Sequence, residues 1–273
     1  VIHLAAISND PMGKEFEEVT YEVNYKSSVA LAKVAKKKGV GHFVFASSCS
    51  IYGFNDKKAC DEKSELNPLT AYAKSKVYTE QELEPLADEN FIVTCCRFAT
   101  ACGASPRIRL DLVLNDFVAS AIATNKITIL SDGTPWRPLI NTIDMSRALE
   151  WGSRRSADKG GNFLAVNTGT GSWNYQVKDL ALEVQKIIPG VEISINSNAQ
   201  PDKRSYKVDF SLFESLAGAS APQTTLADAI RQVREVLEAS GFLDTNFRAS
   251  KEYIRLNMLR YLQDSGRFDK QLF

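Results

Sequence analysis

Three short and almost wholly apolar runs alternate with two longer segments in which apolar residues recur every three or four positions. The apolar runs are Val1–Ala6, His42–Ser48 and Phe91–Arg97, and the longer segments span residues 18–38 and 72–87. Short apolar runs are typical of strands buried on both faces, whereas the recurring spacing is typical of helices. The alternation therefore predicts βαβ units, an α/β fold in which helices cover both faces of a parallel sheet.

Polar side chains follow each of the three predicted strands. The carboxyl ends of parallel strands meet at one edge of the sheet, where ligands of such folds bind. We therefore expect a binding site lined by Ser8 and Asn9 after the first strand, residues 47–50 after the second, and Arg97 and Thr100 after the third.

A tyrosine and a lysine stand four residues apart in the stretch AYAKSK, at the start of the second predicted helix. Residues at i and i+4 share a helical face, so the Lys76 ammonium can lie beside the Tyr72 phenol. A neighbouring positive charge lowers a phenol pKa that is ordinarily about 10, which would make Tyr72 a usable general acid and base. Taken alone, so short a pattern is far more often an ordinary half-buried aromatic residue followed by a solvated lysine.

The charged residues balance, with 33 Lys plus Arg against 33 Asp plus Glu, so the chain has no overall basic field for nucleic acid. Five cysteines without a Cys-x-x-Cys motif, and only two histidines, predict neither a metal site nor a disulfide framework. Free thiols are typical of the cytosol. No long apolar run and no basic leader is present, so we expect a cytoplasmic protein that does not bind a membrane.

A series of motifs in a fixed order resembles the extended short-chain dehydrogenases that act on nucleotide-activated sugars, the NAD-dependent epimerase/dehydratase type. In chain order the motifs are VIHLAA, Asn24 in EVNYKSS, FVFASSCSIYG, AYAKSK, RFATACG, WRPLINTIDMSRA and Arg204 in DKRSYKVD. Ser48 precedes Tyr72 by 24 residues, which fits the longer insert of the extended members. Together these motifs favour the catalytic interpretation of Tyr72 and Lys76.

The resemblance implies a Rossmann-like doubly wound parallel sheet that lacks its N-terminal strands, joined to a smaller mixed α/β domain for the substrate. The dinucleotide-binding domain would comprise residues 1–104 and about 139–171. The substrate domain would comprise about 105–138 and 172–273, so that the two domains are interleaved.

The same resemblance implies an NAD-dependent nucleotide-sugar epimerase, with NADP as the alternative cofactor. Tyr72 would exchange the proton of a sugar hydroxyl while a hydride passes between the sugar and the nicotinamide. Ser48 would hydrogen-bond the reacting oxygen, and Lys76 would hold the nicotinamide ribose and lower the phenol pKa. Asn24 would support the catalytic site from the neighbouring helix.

Further residues are assigned to the two ligands by this resemblance. Those expected to bind the cofactor are Leu4, Ala5, Ala6, Ser47, Tyr72 and Lys76. Those expected to bind the nucleoside-diphosphate sugar are Ser8, Ser50, Thr100, Asn115, Arg137 and Arg204. Arg137 and Arg204 match positions that hold the diphosphate, a task suited to permanently charged guanidinium groups. Arg107 and Arg109 either belong to the same site or are surface residues.

The glycine-rich phosphate loop of the family is absent from the sequence. Because the chain begins within its first predicted strand and without methionine, we expect further residues upstream of Val1, and the loop would lie there. Its absence also removes the residue that selects NAD or NADP.

Cys49 and Ser50 occupy the places where sugar 4,6-dehydratases of the family carry Asp-Glu. Elimination of water by that route is therefore not expected. An epimerase and a ketoreductase need the same Ser, Tyr and Lys, so both remain open, as does a dinucleotide-binding regulatory protein without turnover.

A homodimer is also expected, because the helices 18–38 and 72–87 resemble the pair that meets across a twofold axis in this family. Their apolar residues exceed what one face of a sheet needs; these are Val29, Leu31, Val34, Tyr78 and Leu83.

Overall fold

The structure is a computed structural model, which describes residues 1–55, 58–196, 198–199, 205–269 and 272. Its strands are β1 (Ile2–His3), β2 (His42–Ser48), β3 (Ile92–Phe98), β4 (Thr100–Cys102), β5 (Lys126–Ile129), β6 (Trp136–Asn141), β7 (Phe163–Thr168), β8 (Asn174–Gln176) and β9 (Glu192–Ile195). Its α-helices are α1 (Asp10–Glu15), α2 (Glu17–Tyr21), α3 (Ser27–Lys37), α4 (Ala71–Leu83), α5 (Val113–Thr124), α6 (Thr142–Arg154), α7 (Val177–Ile187), α8 (Ser211–Ala217), α9 (Leu226–Ala239) and α10 (Arg255–Asp264).

A four-stranded parallel sheet in the order β1-β2-β3-β7 forms the centre of the molecule. Side chains alternate across the sheet, so that Phe43 and Phe45 of β2 face α3 and α4, whereas Val44 faces α6. The three aromatic and aliphatic side chains are at most 1% exposed. Helices thus cover both faces, which confirms the α/β fold with a doubly wound parallel sheet.

Two smaller sheets lie beyond the central one. In the first, β4 pairs in parallel with β6 and β6 pairs antiparallel with β8; in the second, β5 and β9 run parallel. A separate hydrophobic core joins these strands to α5, α7 and α9, with Leu114, Leu180 and Val233 among its fully buried members.

The division into two interleaved domains stays a prediction. Helix α8, which that division places in the substrate domain, packs against the central sheet. Its Phe213 is fully buried and makes an edge-to-face contact with Trp151 of α6, with ring centroids 5.4 Å apart.

Two segments differ from the sequence prediction. The first run forms only the two-residue β1, and its Ile2 and Leu4 side chains are 45% and 57% exposed because β1 lies at the edge of the described sheet. The sequence also predicts a helix over residues 107–124, but α5 begins only at Val113; residues 107–112 are turns and irregular chain, and Leu112 has the extended dihedrals of a residue that precedes a helix. No helix among the described residues is long and apolar enough to cross a membrane.

Candidate active site

Helix α4 presents one face to the carboxyl ends of β2 and β3. The helix begins where the Thr70 hydroxyl accepts a hydrogen bond from the Ala73 amide (3.1 Å) and donates to Asp10 (2.7 Å). Tyr72, Lys76 and Glu80 are spaced by four residues, which places them along one face. Each meets a different part of the two strands, and together they line the predicted edge of the sheet.

The Tyr72 phenol meets Ser48, the last residue of β2. Burial raises the pKa of Tyr72 above its ordinary value, while a hydrogen bond with the Ser48 side chain and the charge of Arg109 lower the pKa less strongly. Asp10 adds a further rise in the pKa of this phenol. The predicted lowering by Lys76 is therefore not found, because desolvation outweighs the favourable contacts.

The Lys76 ammonium is buried between the phenol and β2. It donates to the Ala46 carbonyl (2.7 Å) and lies 4.6 Å from the centroid of the Phe45 ring and 5.6 Å from that of Tyr72. Lys76 is only 3% exposed. Burial lowers its pKa to about 8, and the charge of Glu80 opposes this change. An ammonium has three N–H donors, so two remain for a ligand beside the one that Ala46 accepts.

A buried ion pair continues the same helix face, and the sequence analysis missed its acidic member. Glu80 accepts hydrogen bonds from Arg97 of β3, with Nη2 to Oε2 at 2.7 Å and Nε to Oε2 at 3.0 Å, and another from Ser47 of β2. Arg97 also donates to the Tyr52 hydroxyl (3.2 Å). The sequence does place Glu80 four residues after Lys76, a spacing that predicts a position on the same helical face.

Asn24 lies in a π-helical turn, Glu22–Lys26, between α2 and α3. Its side-chain oxygen accepts from the Ile7 amide (2.7 Å), and its side-chain nitrogen donates to the Ile7 carbonyl (2.9 Å) and to Ser75 of α4 (3.3 Å). Asn24 therefore fixes the segment after β1 against α4. It supports the site without pointing a free amide group at Tyr72.

The residues expected to hold the cofactor lie around this cluster. Leu4 and Ala5 are exposed after β1, and Ala6 is half-buried. Ser47 already donates its hydroxyl to Glu80. The nearby Ser50 hydroxyl, expected to meet substrate, is buried and makes no hydrogen bond to any residue that the structure describes, so it suits a polar ligand group.

The residues expected to bind substrate fall into three groups. Ser8 joins the site, because its hydroxyl and carbonyl both accept from Arg109 Nη1 (3.2 and 3.3 Å). Arg137 on β6 and the buried Tyr206 lie near each other, since the charge of Arg137 lowers the pKa of Tyr206 against the larger effect of burial. Thr100 begins β4, and Arg204 lies outside the described residues.

Asn115, whose contact with substrate stays a prediction, is hydrogen-bonded to the backbone of the turns before α5 in this structure. Its amide nitrogen donates to the carbonyls of Gly103 (3.1 Å) and Arg109 (3.0 Å), and its oxygen accepts from the Gly103 amide (3.0 Å). Both amide hydrogens are thus used by the backbone, which leaves none for phosphate or sugar. The side chain holds the turns before α5.

Comparison with known proteins identifies the family. A model of the NAD dependent epimerase/dehydratase family matches residues 1–166. The chain belongs to this family. It is 29% identical over 212 residues to the UDP-glucose 4-epimerase of Pasteurella multocida (strain Pm70), a match that covers 68% of the chain and 60% of the relative. The chain is also 30% identical over 210 residues to that of Haemophilus influenzae, with the same two shares.

Solved structures of other proteins have the same fold. MoeE5 in complex with UDP-glucose and NAD superposes with a TM-score of 0.74 at 26% identity, covering 88% of this chain and 79% of that protein. A UDP-glucose-4-epimerase from Stenotrophomonas maltophila superposes with a TM-score of 0.77 at 21% identity, covering 88% and 76%. The chain spans about 60% of the length of the curated UDP-glucose 4-epimerases that it matches.

The residue after Ser48 is Cys49, which stands where the resemblance places an acidic residue in sugar 4,6-dehydratases. The Cys49 thiol is fully buried and donates to the Arg97 carbonyl (3.0 Å). Burial raises the pKa of Cys49 well above its ordinary value, so the thiol stays protonated. Cys49 therefore cannot replace an acidic residue as a base.

We expect Gly13→Ala to displace Tyr72. A Cβ on Gly13 of α1 would lie 2.9 Å from both the Cβ and the amide nitrogen of Tyr72, closer than packed atoms allow. Such overpacking costs about 1–3 kcal/mol in the free energy of unfolding. Urea unfolding should show this loss, whereas Gly41→Ala, which has no atom within 4 Å of its new Cβ, should change the free energy by less than about 0.5 kcal/mol. Equal stability of the two variants would contradict the close packing.

We expect the stability of the protein relative to Lys76→Met to rise with pH. The folded-state pKa of Lys76 is about 8 and its ordinary value is 10.5, so the unfolded chain binds more protons between these values. The wild-type free energy of unfolding minus that of the variant should therefore increase between pH 8 and pH 10.5, by roughly 3 kcal/mol in total. Urea unfolding across this range measures it, and a flat difference would show that Lys76 titrates normally.

Proposed function

We propose that the protein is an NAD-dependent nucleotide-sugar epimerase in which Tyr72 is the acid and base. The observation that carries this proposal is the convergence of Tyr72, Ser48 and Lys76 at the carboxyl end of β2. Rigid elements hold all three groups, which suits chemistry that loses about a hundredfold in rate for a misplacement of about 1 Å. Membership of the epimerase/dehydratase family supports the same activity.

NAD is the cofactor in this proposal, since the family is NAD dependent and MoeE5 is described with NAD. When bound, NAD supplies the hydride acceptor and returns the hydride. The two remaining N–H donors of Lys76 suit ribose hydroxyls, and the exposed residues Leu4 and Ala5 leave backbone groups open to a dinucleotide. In this scheme residues 1–104 and about 139–171 form the cofactor domain, and about 105–138 and 172–273 form the substrate domain.

Tyr72 takes the proton of the sugar hydroxyl and later returns it to the carbonyl oxygen of the oxidised sugar. Burial raises the pKa of Tyr72, so the phenol is protonated near neutral pH and must release that proton to solvent before it accepts the proton of the sugar hydroxyl. Ser48, whose side-chain oxygen also accepts from the Ser50 amide (3.2 Å), orients the reacting oxygen toward the phenol. Arg109 and the Ser48 hydrogen bond lower the phenol pKa, and they thereby favour the deprotonated form that accepts the proton of the sugar hydroxyl.

The substrate class is a nucleoside-diphosphate sugar, and UDP-sugars are the first candidates because the curated relatives are UDP-glucose 4-epimerases. Arg137 supplies a guanidinium for the diphosphate. The Ser50 hydroxyl, which makes no hydrogen bond to any described residue, supplies a hydrogen bond for the sugar. Epimerisation is favoured over elimination because Cys49 is buried and protonated, and Ser50 is no acid.

The experiment is a panel of UDP-, GDP-, dTDP- and CDP-sugars with purified full-length protein. An epimerase interconverts two sugars without net consumption of NAD and shows transient reduction of the bound cofactor. Net consumption of NADH or NADPH with a keto-sugar identifies a ketoreductase instead. Tight NAD binding without turnover or reduction by any sugar would reject the proposal and support a regulatory protein.

We expect Tyr72→Phe to lower turnover by about 10²–10⁴-fold with substrate affinity largely kept, because it removes only the group that exchanges the proton. The matched control is Tyr78→Phe, which removes a hydroxyl from an exposed position of the same helix. The measurement is kcat and KM for the sugar identified in the panel. Retention of more than about a tenth of wild-type kcat would show that Tyr72 is not the acid and base.

A homodimer that buries the outer face of α3 and α4 completes the proposal. Leu31, Val34 and Tyr78 are 39%, 55% and 41% exposed on these helices, and Tyr78 stacks on Tyr21 with ring centroids 6.1 Å apart. Val29 and Leu83, which were also expected on this surface, are buried in the protomer instead. The three exposed side chains are the apolar contribution that remains for a partner.

We expect Val34→Glu to shift the protein from dimer to monomer, because a carboxylate at the centre of an apolar contact is desolvated without a partner. Light scattering at micromolar concentration should give twice the mass of one chain for wild type. The control Leu243→Glu, at a position 78% exposed on another surface, should remain dimeric. A wild-type protein with the mass of one chain would refute the dimer.

A further inference from the structure

Three arginines from distant parts of the chain approach one another beside the carboxyl end of β1. Arg107 and Arg109 lie in the turns before α5, and Arg255 is the first residue of α10. Burial and the charges of Arg109 and Arg107 lower the pKa of Arg255, which shows how near the three guanidinium groups are. Arg109 is neutralised by Asp111, with Nη2 to Oδ2 at 2.6 Å and Nε to Oδ1 at 3.0 Å.

Arg107 and Arg255 are neutralised less completely than Arg109; Asp111 acts on Arg255 through its charge, which raises the pKa of Arg255 against the larger lowering by burial and the other two arginines. Neither forms an ion pair within the described part of the chain. The Nε of Arg255 is buried and makes no hydrogen bond to any described residue. A buried donor without a hydrogen bond destabilises the folded state, and neighbouring like charges add to this cost. The folded protein therefore holds positive charge at a place where an anion would stabilise it.

A cavity of about 290 Å³ lies where these two arginines meet β1. Arg107 and Arg255 line one part of it, and Ala6, Ile7 and Met12 line another. Its volume is close to that of small ligand sites. The segment that forms its floor includes Ala6 and precedes Ser8, so a ligand group in the cavity would be continuous with the site around Tyr72.

Helix α10 is fixed over this cavity by contacts with α1. Arg260 donates to both carboxylate oxygens of Glu15, through Nε at 2.8 Å and Nη2 at 2.5 Å. The apolar side chains of Met258, Leu259 and Leu262 line the cavity from the same helix. The position of Arg255 is thus set by contacts that the rest of α10 makes with α1 and around the cavity. This helix lies beyond residues 1–166, which match the family model.

We propose that Arg107 and Arg255 form an anion-binding site that takes a phosphate or carboxylate group of the ligand bound across residues 6–8. This site is separate from Arg137 on β6, to which the nucleotide diphosphate was assigned. Planar guanidinium groups bind either kind of anion through paired hydrogen bonds. The identity of the ligand rests on the proposed function, whereas the anion site rests on the cavity and its two arginines.

Isothermal titration of the full-length protein tests the site with pyrophosphate, NAD⁺, UDP-glucose and UDP-glucuronic acid as probes. Arg255→Gln and Arg107→Gln should each weaken binding of pyrophosphate and of at least one nucleotide by about 10- to 100-fold. The control is Arg231→Gln on α9, an exposed arginine paired only with Asp228 in the described structure, which should bind like wild type. Arg255→Lys, which keeps the charge, should bind more tightly than Arg255→Gln.

The probe that loses affinity identifies the source of the anion. A loss with NAD⁺ assigns the cofactor phosphates, an equal loss with both UDP-sugars assigns the substrate diphosphate, and a loss with UDP-glucuronic acid alone assigns a sugar carboxylate. Unchanged pyrophosphate binding in Arg255→Gln and Arg107→Gln, or no pyrophosphate binding by wild type, overturns the site. Because pyrophosphate needs no turnover, this result is independent of whether any sugar is epimerised. Circular dichroism confirms that each variant is folded.

Discussion

The buried ion pair between Glu80 and Arg97 is the interaction on which the arrangement of the active site depends. The two side chains are only 5% and 8% exposed, and Ser47 donates a further hydrogen bond to the same carboxylate. Removing one partner of such a pair leaves an uncompensated buried charge, which costs about 3–5 kcal/mol. The pair ties α4 to β2 and β3 at once. Since Tyr72 and Lys76 lie on the same helical face, fixing Glu80 also fixes how that face is turned toward the sheet.

The same carboxylate influences the charge of Lys76. Burial lowers the pKa of Lys76, and Glu80 opposes this change, so the ammonium remains mostly protonated at neutral pH despite its position among Phe45, Tyr72 and the β2 backbone. The roles proposed for Lys76, in holding the ribose and in assisting the phenol, both need this charge. Arg97 in turn prevents Glu80 from pairing fully with Lys76, because the guanidinium holds the carboxylate through two nitrogens. The charges of Lys76, Glu80 and Arg97 thus act on one another as a group of three and not as a single ion pair.

The central sheet and the Tyr72 and Lys76 pair were predictable because both depend on local patterns. Strand β2 is apolar along its length, and a spacing of four places two side chains on one helical face in any α-helix. The Glu80 pairing with Arg97 was not predictable, since no periodic signal links a helix residue to the end of a later strand. The contacts of Asn115 were not predictable for a related reason: its amide is hydrogen-bonded to the backbone of a turn in a segment that the sequence suggested to be helical. The exposure of Leu4 likewise depends on which strand neighbours β1.

Chemistry and ligand selection are therefore supported by different parts of the fold. The reacting groups lie on α4 and β2, whose positions are over-determined by the Glu80 network and by the Asn24 contacts with Ile7 and Ser75. The groups suited to the anionic parts of a ligand come from turns and from α10, which touch the catalytic elements only at their margins. Within the described structure these outer elements influence Tyr72 mainly through the charge of Arg109, which lowers the phenol pKa. Under the proposed function, this partial separation would let the ligand-binding elements vary while Tyr72 and Lys76 keep their positions.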